Sequence, residues 1–370
     1  MSKLRVKKLY IYFGTAAEYI KLIPVIRRLR EDKIPYRIVL SGQTDVVLSE
    51  FTSLVGEQKA YKTFEGKSRK SSAFGFALWT TKTMVKSLIW GMNELKDRNS
   101  VLLVQGDTVT ALIGAITAKI YSVKLLHVEA GLRTNNLLEP FPEEISRTLI
   151  GYLADYNFCP NREVFKNIGN KGSKKISTGY NTSVESMSLA LKLRRRPKGI
   201  KIKSGQKYFI FIVHRQEHLY IKKQETKLLI EHVISNSSTK LKCVFIIHDV
   251  TKKFLIDTGL WERLMENINV ILQPRLPYID FLNLFSKCEF AISDGGGNQT
   301  EAHFLGIPCL IFRKKSEQTE GLKENIVLGR QNKRTITNFF RNYKKYKKSK
   351  KSIKKWPSEI IVEELIKNVL

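Results

Sequence analysis

The chain has 370 residues, 42% of which are hydrophobic, enough for two globular domains and too many for a disordered chain. Its formal net charge is +30. If the lysines were clustered, this charge would indicate a polyanionic partner. The lysines are instead spread along the whole chain, as a lysine-biased genome would also produce, so we predict no specific nucleic-acid partner.

Cysteine usage and the N-terminal residues predict a cytoplasmic protein. The cysteines are far apart in the sequence, and three of them lie in apolar runs, which is typical of reduced core residues; they are Cys159, Cys243, Cys288 and Cys309. The first apolar run is short and lacks a small-residue cleavage pattern, so we expect no secretory signal. No later apolar window is long and uncharged enough to predict a membrane span.

In the first half of the chain, continuous apolar runs alternate with segments of helical period. The runs are LYIYFG, YRIVLSG, SVLLVQGD, VKLLHVEAG, YNFCP and KKISTG, and the segment AAEYIKLIPVIRRLRE follows the first. Continuous rather than alternating hydrophobic strands predict a parallel sheet with helices on both faces. We therefore expect an α/β, doubly wound, Rossmann-like domain over residues 1–170.

The second half repeats this pattern after a basic connection that contains proline and glycine. Its apolar runs are YFIFIVH, KCVFIIHD, INVILQP, FAISDGGG and PCLIFR. We expect a second Rossmann-like domain over residues 171–356, with ligands bound at the carboxyl ends of the strands in a cleft between the two domains. Residues 357–370 begin with Pro357 and an N-cap candidate, Ser358, which predicts a terminal helix that packs back on the first domain.

Acidic and basic side chains collect where these strands end. Asp107 and Glu129 follow strands of the first half, and His214, Arg215 and Glu217 follow the first strand of the second. A single carboxylate at a strand end is more often a helix cap than a catalyst. Several such residues at the carboxyl edges of two parallel sheets favour a catalytic or binding site.

Three consecutive glycines, Gly295, Gly296 and Gly297, open a predicted helix after a late strand. Bare backbone N–H groups and the helix dipole can hold a diphosphate, and glycine lets it approach closely. The alternative is a tight strand-to-helix turn without a ligand. Glu301, about one turn further along, could accept hydrogen bonds from a ribose diol or could simply face solvent.

The segment HRQEH matches a zinc-protease pattern that requires both histidines on one helical face. His214 instead ends a strand and His218 lies beyond the following turn, so we predict neither a metal site nor a cofactor. His214 and Arg215 suit an anion, whereas His218 is predicted to be an ordinary polar loop residue. The remaining histidines lack ligand spacing and are predicted to be structural; they are His127, His232, His248 and His303.

The densest basic run is RNYKKYKKSKKSIKK, residues 341–355, which contains nine basic residues and no acid. Such a run is either a solvated linker or a patch that contacts an anionic membrane surface. The sequence alone leaves both interpretations open.

Seven motifs are spread in order over nearly the whole chain. They are FGTAAEYIKLIPVI, GDT, HVEAGLRT, PFPEEISRTLIGYLAD, TGYNTSVES, HRQE and DGGGNQTEA. In order and spacing, these motifs resemble the pattern of the non-hydrolysing UDP-N-acetylglucosamine 2-epimerase family. The resemblance implies a two-domain glycosyltransferase B fold, interconversion of UDP-GlcNAc and UDP-ManNAc for surface-polysaccharide synthesis, and a homodimer.

The family's reaction explains why carboxylates gather after a strand. The hydrogen at C2 of the sugar is not next to a carbonyl, so the family eliminates UDP across C1 and C2 and adds it back. Acid–base groups are therefore needed on both faces of the sugar. The resemblance assigns this role to Asp107, Glu129 and Glu143, and it places His214 near the diphosphate.

Substrate-binding positions also carry over from the resemblance. Gly296 and Gly297 match the family's diphosphate-binding glycines, Glu301 matches its ribose-binding glutamate, and Glu317 and Glu320 match acidic positions near the nucleotide. The other substrate-binding positions are Lys21, Arg133, Arg147, Arg215 and Gly295. The sequence departs from the family at Ala16, where the family has arginine, at Gly295, where it has serine, and at Val213, where it has glycine. Lys314 and Lys315 could supply the missing charge, and the family's allosteric response to a second UDP-GlcNAc is not expected.

Two other functions remain open at this stage. A glycosyltransferase of the same fold would keep the nucleotide-sugar site, change the reaction and use the basic segment at a membrane. A nucleotide-sugar binder without activity would tolerate alanine at position 16, where the family has arginine, but it would not need the three carboxylates.

Overall fold

The computed structural model describes residues 8–64, 73–96, 99–134, 142–194, 200, 202–203, 205–215, 217–313, 316, 318, 320–329 and 332–370. These residues form two compact units, one within Met1–Ser186 and Ile353–Leu370 and the other within Met187–Ser352. Within the described ranges, no helix combines the length and the apolarity required to cross a bilayer.

The first unit contains a parallel sheet that has seven strands among the described residues. The strands are β1 (Lys8–Phe13), β2 (Tyr36–Leu40), β3 (Ala60–Thr63), β4 (Ser100–Gln105), β5 (Lys124–Val128), β6 (Tyr156–Cys159) and β7 (Lys174–Ser177). Their order is β3-β2-β1-β4-β5-β6-β7. The strand order reverses between β1 and β4, and open parallel sheets bind their ligands at the carboxyl ends of the strands at such a switch point.

Helices connect these strands and cover the sheet. They are α1 (Ala16–Glu31), α2 (Thr52–Val55), α3 (Ala73–Glu94), α4 (Val109–Ile120) and α5 (Glu143–Leu153). A further helix, α6 (Thr182–Lys192), follows β7, and the division between the two units falls within it. The central strand β4 is buried along its whole length. Tyr10 and Tyr12 of β1 pack against the Trp90 ring of α3, with ring centroids 5.1 and 6.3 Å away, which anchors α3 on one face of the sheet.

The second unit repeats the doubly wound arrangement with six strands in its described part. They are β8 (Tyr208–Ile212), β9 (Lys242–Ile247), β10 (Val270–Pro274), β11 (Ala291–Ser293), β12 (Cys309–Ile311) and β13 (Ile326–Leu328), in the order β10-β9-β8-β11-β12-β13. Its helices are α7 (Lys223–Ser235), α8 (Asp249–Asp257), α9 (Trp261–Glu266), α10 (Tyr278–Phe285), α11 (Gly296–Leu305) and α12 (Lys333–Asn342). The switch point of this sheet lies between β8 and β11.

The predicted fold class of two doubly wound parallel sheets is therefore confirmed. Two strands, β3 and β13, were not predicted from the sequence. Both β3 and β13 lie at sheet edges. All four residues of β3 are exposed, and β13 has only three residues. Neither strand is buried on both faces, so neither produces the long apolar run by which the other strands were recognised.

The division between the units differs from the boundaries that the sequence suggested. Residues 171–186 belong to the first unit rather than the second, because β7 pairs with β6 in the first sheet. At the other end, the second unit stops at Ser352 rather than residue 356. The cysteines are all free and buried, as the sequence predicted.

The last helix, α13 (Pro357–Asn368), belongs to the first unit and contacts α1 there. The prediction that Ser358 is its N-cap is wrong, since the N-cap residue is Trp356 and Ser358 lies inside the first turn. The Ser358 Oγ donates to Glu185 Oε1 at 2.7 Å, and its backbone N–H donates to Glu185 Oε2 at 3.1 Å. Two buried groups that are far apart in the sequence thereby satisfy each other.

We expect Ser358→Ala to lower the free energy of unfolding by about 1–3 kcal/mol, because the buried Glu185 carboxylate loses one of its donors. Urea titration followed by circular dichroism measures the change. Ser349→Ala provides the control, since Ser349 is exposed and its loss should leave the midpoint unchanged. Equal midpoints for both variants would contradict the structural role of this contact.

Candidate active site

The first unit has a buried carboxylate, Glu129, directly after β5. Glu129 is 8% exposed. Its Oε2 accepts from Lys21 Nζ at 2.5 Å and also from the amide of Gln105, and its Oε1 accepts from the amide of Asn181. These donors come from α1, from the end of β4 and from the loop before α6, so one side chain joins several segments around the switch point.

The backbone of Glu129 lies in the left-handed region, with φ of 67°. A non-glycine residue there is uncommon, because the conformation costs about 1–3 kcal/mol that the surrounding structure must offset. Residues strained in this way cluster at functional sites. The hydrogen bonds to the Glu129 carboxylate provide that compensation. Gly131, two residues later, has φ of 85°, and a Cβ there would lie 2.8 Å from the Val164 carbonyl oxygen, so glycine is required at this position.

A second cluster of charges follows β4. Arg147 of α5 is buried and donates to the carboxylate of Asp107 as well as to Glu144 Oε2, the latter at 2.8 Å. Glu144 also accepts from the Thr134 backbone N–H at 3.2 Å. Asp107 keeps 27% of its side chain exposed, so a substrate can reach it while Arg147 holds its orientation.

Lys21 links the two clusters electrostatically. Burial lowers the pKa of Lys21, but the negative charges of Glu129 and Asp107 outweigh burial, and the pKa lies above its ordinary value. Lys21 therefore stays charged at neutral pH. Of the predicted site residues in the first unit, Lys21, Asp107, Glu129 and Arg147 form one network.

Two other residues of this unit were predicted to belong to the site. Arg133 donates to the backbone carbonyls of Leu132 and Asn167, at 2.8 and 3.2 Å, and it interacts electrostatically with the cluster of Asp107, Glu144 and Arg147. Glu143 is the first residue of α5 and is half-buried. The preceding residues 135–141, which complete the motif, lie outside the described residues.

Glu18, in the first turn of α1, is a buried acid that the sequence did not single out. It accepts from Gly14 N–H at 3.0 Å, from Thr15 Oγ at 2.8 Å and from Thr108 Oγ at 2.7 Å. Thr108 follows Asp107 and caps α4, so Glu18 fixes the loop that carries Asp107. Burial raises the pKa of Glu18 to about 7, although these hydrogen bonds oppose the shift.

The second unit also has a buried acid at its switch point. Asp294, which follows β11, accepts from the backbone N–H groups of His214 and Arg215 at 2.9 and 2.8 Å. His214 Nδ1 lies 2.9 Å from Asp294 Oδ1, and His218 Nδ1 lies 3.3 Å from Oδ2. Burial opposes ionisation of Asp294, but His214 and these hydrogen bonds outweigh it and hold its pKa well below the usual range.

Three histidines, His214, His218 and His248, lie near Asp294 or pack against one another beside it. His214 stays 35% exposed, and because Nδ1 faces Asp294, its Nε2 is the ring nitrogen left for a ligand. His218 is 3% exposed, so its prediction as an ordinary loop residue is wrong. His248, predicted to be structural, stacks on the His214 ring at 4.8 Å, and burial lowers its pKa to about 4, which leaves it neutral.

The predicted glycine cradle begins α11. Gly295 is the N-cap residue, and Gly296 and Gly297 start the helix. A Cβ on Gly295 would lie 3.2 Å from His214 Cε1 and 3.0 Å from Asn298 Oδ1, whereas one on Gly297 would meet nothing within 4 Å. Gly295 therefore packs closely against His214 and Asn298, and the space above Gly297 leaves the helix N-terminus open to an anion.

Further along α11, Glu301 is 7% exposed and accepts from Asn298 Nδ2 at 3.0 Å. It does not face solvent, which excludes the alternative considered from the sequence. Gln299 donates to the carbonyls of Gln318 and Glu320 at 3.0 Å each and so holds the segment predicted to lie near a nucleotide. Glu317, Lys314 and Lys315 lie outside the described residues, as does the side chain of Glu217.

Within the described part of the chain, no group of three or more His, Cys, Asp or Glu side chains is arranged to hold a metal ion. His127, which the sequence marked as structural, is buried and its Nε2 lies 2.7 Å from the Gly106 carbonyl oxygen. Burial lowers its pKa to about 4. It supports the turn before Asp107.

These two doubly wound units, with polar residues gathered at the switch point of each, have the fold of nucleotide-sugar enzymes of the glycosyltransferase B type. The profile of the UDP-N-acetylglucosamine 2-epimerase family matches residues 79–359. A UDP-N-acetylglucosamine 2-epimerase of Methanococcus maripaludis is 31% identical, with 86% of each chain covered. The chain belongs to the UDP-N-acetylglucosamine 2-epimerase family.

Solved structures agree with this assignment. The UDP-GlcNAc 2-epimerase of Neisseria meningitidis bound to UDP-GlcNAc has a TM-score of 0.82 and 26% identity, covering 98% of this chain and 100% of that chain. The Methanocaldococcus jannaschii enzyme, in complex with UDP-GlcNAc and UDP, has a TM-score of 0.80 and 27% identity, covering 97% and 99%. The resemblance recognised in the motifs is therefore confirmed.

We expect Glu18 to make stability depend on pH. Its folded-state pKa of about 7 exceeds the ordinary value of about 4.3, so its contribution to the free energy of unfolding is fully present below about pH 4 and is lost as pH rises through about 7. Glu18→Gln should therefore gain stability relative to wild type between about pH 5 and pH 8, by on the order of 2–3 kcal/mol.

Urea titrations across this pH range measure the difference. Glu262→Gln provides the control because Glu262 is exposed. A difference between Glu18→Gln and wild type that stays constant with pH would show that Glu18 does not take up a proton near neutrality.

Proposed function

We propose that the protein catalyses epimerisation at C2 of UDP-GlcNAc, or of a closely related UDP-2-acetamido sugar, to the ManNAc epimer. Its family and the relatives with bound UDP-GlcNAc support this substrate. The observation that carries the proposal is the network of Glu129 and Asp107 with Lys21 and Arg147 at the switch point. We further infer a role in surface-polysaccharide synthesis in the cytoplasm, which four reduced cysteines fit.

In the proposed reaction, a carboxylate takes the proton from C2 while the C1–O bond breaks and its electron pair leaves with UDP. A C1=C2 double bond forms. A proton then returns to the opposite face of C2, and the UDP oxygen attacks C1 to restore the sugar nucleotide. Net change is confined to the configuration at C2, so the reaction needs no oxidant or reductant.

The carboxylates of the first unit differ in burial and in the partners that hold them. Glu129 accepts from a charged lysine and two amides, which hold its carboxylate in one orientation, as proton transfer requires. Asp107 is partly exposed and held by Arg147, so it can meet the sugar. We assign proton transfer to Glu129, Asp107 and Glu143, with Glu143 placed by the start of α5.

We assign the diphosphate to the second unit. The N–H groups of Gly296 and Gly297 and the dipole of the ten-residue helix α11 provide an anion site. His214, oriented by Asp294, offers Nε2 toward the leaving phosphate. Arg215 would add charge, Glu301 would hold the ribose, and Glu317 and Glu320 would lie near the nucleotide.

The decisive experiment is incubation with UDP-GlcNAc in D₂O followed by NMR. We expect deuterium at C2 and formation of UDP-ManNAc without added metal or nicotinamide cofactor, because every turnover breaks the C2–H bond and reprotonates that carbon from solvent-exchanged groups. Full retention of protium at C2, with UDP released only when a sugar acceptor is added, would instead identify a glycosyltransferase.

Glu143→Gln supplies the matched variant for the same assay. It removes one titratable group while keeping size, so exchange should fall by about 10²–10⁴-fold with the melting temperature and UDP affinity near wild type. Glu262→Gln on the exposed face of α9 should exchange at the wild-type rate. An active Glu143→Gln variant would remove Glu143 from the proposed mechanism.

We also propose that the protein is a homodimer that associates through α3. This helix exposes large apolar side chains at positions that recur along one face; they are Phe74, Leu78, Val85, Ile89 and Met92. Phe74 is 79% exposed and Ile89 is 54% exposed. Exposed Thr81 and Lys82 interrupt this apolar stripe between Leu78 and Val85. An exposed apolar stripe is typical of a protein–protein interface, and a second copy presents the same stripe, as a two-fold dimer requires.

Val85→Glu should therefore shift the protein from dimer to monomer in sedimentation experiments, since it places a charge at the centre of the stripe. Ile366→Glu is the control, because Ile366 on α13 is 48% exposed and Val85 is 51% exposed. Retention of the dimer by Val85→Glu, or an equal loss in both variants, would exclude α3 as the interface.

A further inference from the structure

Basic residues are concentrated in one ordered surface of the second unit, Arg341–Lys351, which we call the basic strip. It runs from the end of α12 through a turn at Tyr343–Tyr346 into extended chain. It contains seven basic residues among eleven and no acid, compared with 64 among 370 in the whole chain. General lysine enrichment does not account for this density.

The strip is attached to the body of the unit by its backbone. Lys348 N–H donates to the Gly306 carbonyl at 2.9 Å, and Lys351 N–H donates to the Phe304 carbonyl at 2.8 Å. Gly306 ends α11 with φ of 70°, and a Cβ there would lie 2.1 Å from the Lys348 carbonyl oxygen. The strip is therefore a fixed surface and not a solvated linker, at least as far as Lys351.

The charges of the strip face outward. Six of the basic residues are exposed; they are Arg341, Lys344, Lys345, Lys347, Lys348 and Lys350. Lys351 pairs with Glu324 at 2.9 Å, whereas the other six form no ion pair with any acid among the described residues. The described acids of the unit therefore leave most of this positive charge unpaired, although Lys348 also acts electrostatically on Glu324.

The aromatic residues between these lysines face inward. Tyr343 packs on Phe290 with ring centroids 4.6 Å apart, and its hydroxyl donates to Glu289 at 3.5 Å. Tyr346 stacks on Phe339 at 5.8 Å. Proteins that bind single-stranded nucleic acid without sequence preference present aromatic rings to the bases, and this strip presents only flexible cations.

We propose that the basic strip binds the anionic phosphate headgroups of a lipid bilayer and holds the protein at a membrane surface as a peripheral protein. Flexible lysines on a fixed backbone can each reach a headgroup phosphate, and juxtaposed basic residues add their effects at an anionic surface. Binding needs no apolar insertion and weakens as salt screens the charges. The proposal does not depend on the epimerase reaction.

The test measures co-sedimentation of the full-length protein with vesicles of phosphatidylcholine alone or of phosphatidylcholine with phosphatidylglycerol. We expect binding only to the anionic vesicles and loss of binding at high salt. Replacing Lys344, Lys345, Lys347 and Lys348 together by Gln should weaken binding by at least about a hundredfold, since each basic residue contributes roughly fivefold.

The matched control replaces four scattered exposed lysines of the same unit by Gln; these are Lys240, Lys252, Lys287 and Lys323. It removes the same net charge and should keep most of the binding. Equal loss in both variants would show that only total charge matters and would overturn the proposal. So would absence of vesicle binding together with strip-dependent binding of a single-stranded oligonucleotide. Both variants should retain wild-type circular dichroism spectra.

Discussion

The need to neutralise buried charge governs the first unit. Glu129, Glu144 and Arg147 are all nearly inaccessible to solvent, and a buried ion that loses its partner destabilises a protein by about 3–5 kcal/mol. The fold satisfies this requirement by pairing opposite charges. Lys21 pairs with Glu129, and Arg147 pairs with both Asp107 and Glu144. The same pairing holds the proposed reacting carboxylates in place before any substrate arrives, which is what preorganised catalysis requires.

The second unit uses the same principle with a single anion. Asp294 ties the loop after β8 to the loop after β11 through backbone N–H groups and two histidines. Because β8 and β11 flank the switch point, one carboxylate sets both the glycine turn and the direction of His214. In each unit, therefore, an inaccessible acid, Glu129 or Asp294, fixes the loops beside a more exposed residue, Asp107 or His214, to which we assign contact with the substrate.

The sequence was most informative where the chain is buried on both sides. Long apolar runs such as those of β4 and β8 predicted the strands and hence the doubly wound class, whereas the exposed β3 gave no such signal. Motif resemblance identified Lys21, Asp107 and Glu129, and the structure brings these together.

The partners of these residues could not be read from the sequence. Gln105 and Asn181 are ordinary amides until the fold places both against Glu129, and Ser358 meets Glu185 across 173 positions of chain. Glu18 and Asp294 lie next to helix starts, where an acid is common, and only their burial distinguishes them. His218 was misjudged because its burial depends on Asp294, which lies 76 residues away.

The left-handed backbone of Glu129 has a consequence for how this sequence can change with time. Glycine or asparagine would adopt that conformation at lower cost, but either would leave Lys21, Gln105 and Asn181 without their common acceptor. Position 129 is therefore held by its side-chain partners against its own backbone preference. A substitution there would be tolerated only together with changes at those partners, so we expect these four positions to change as a group.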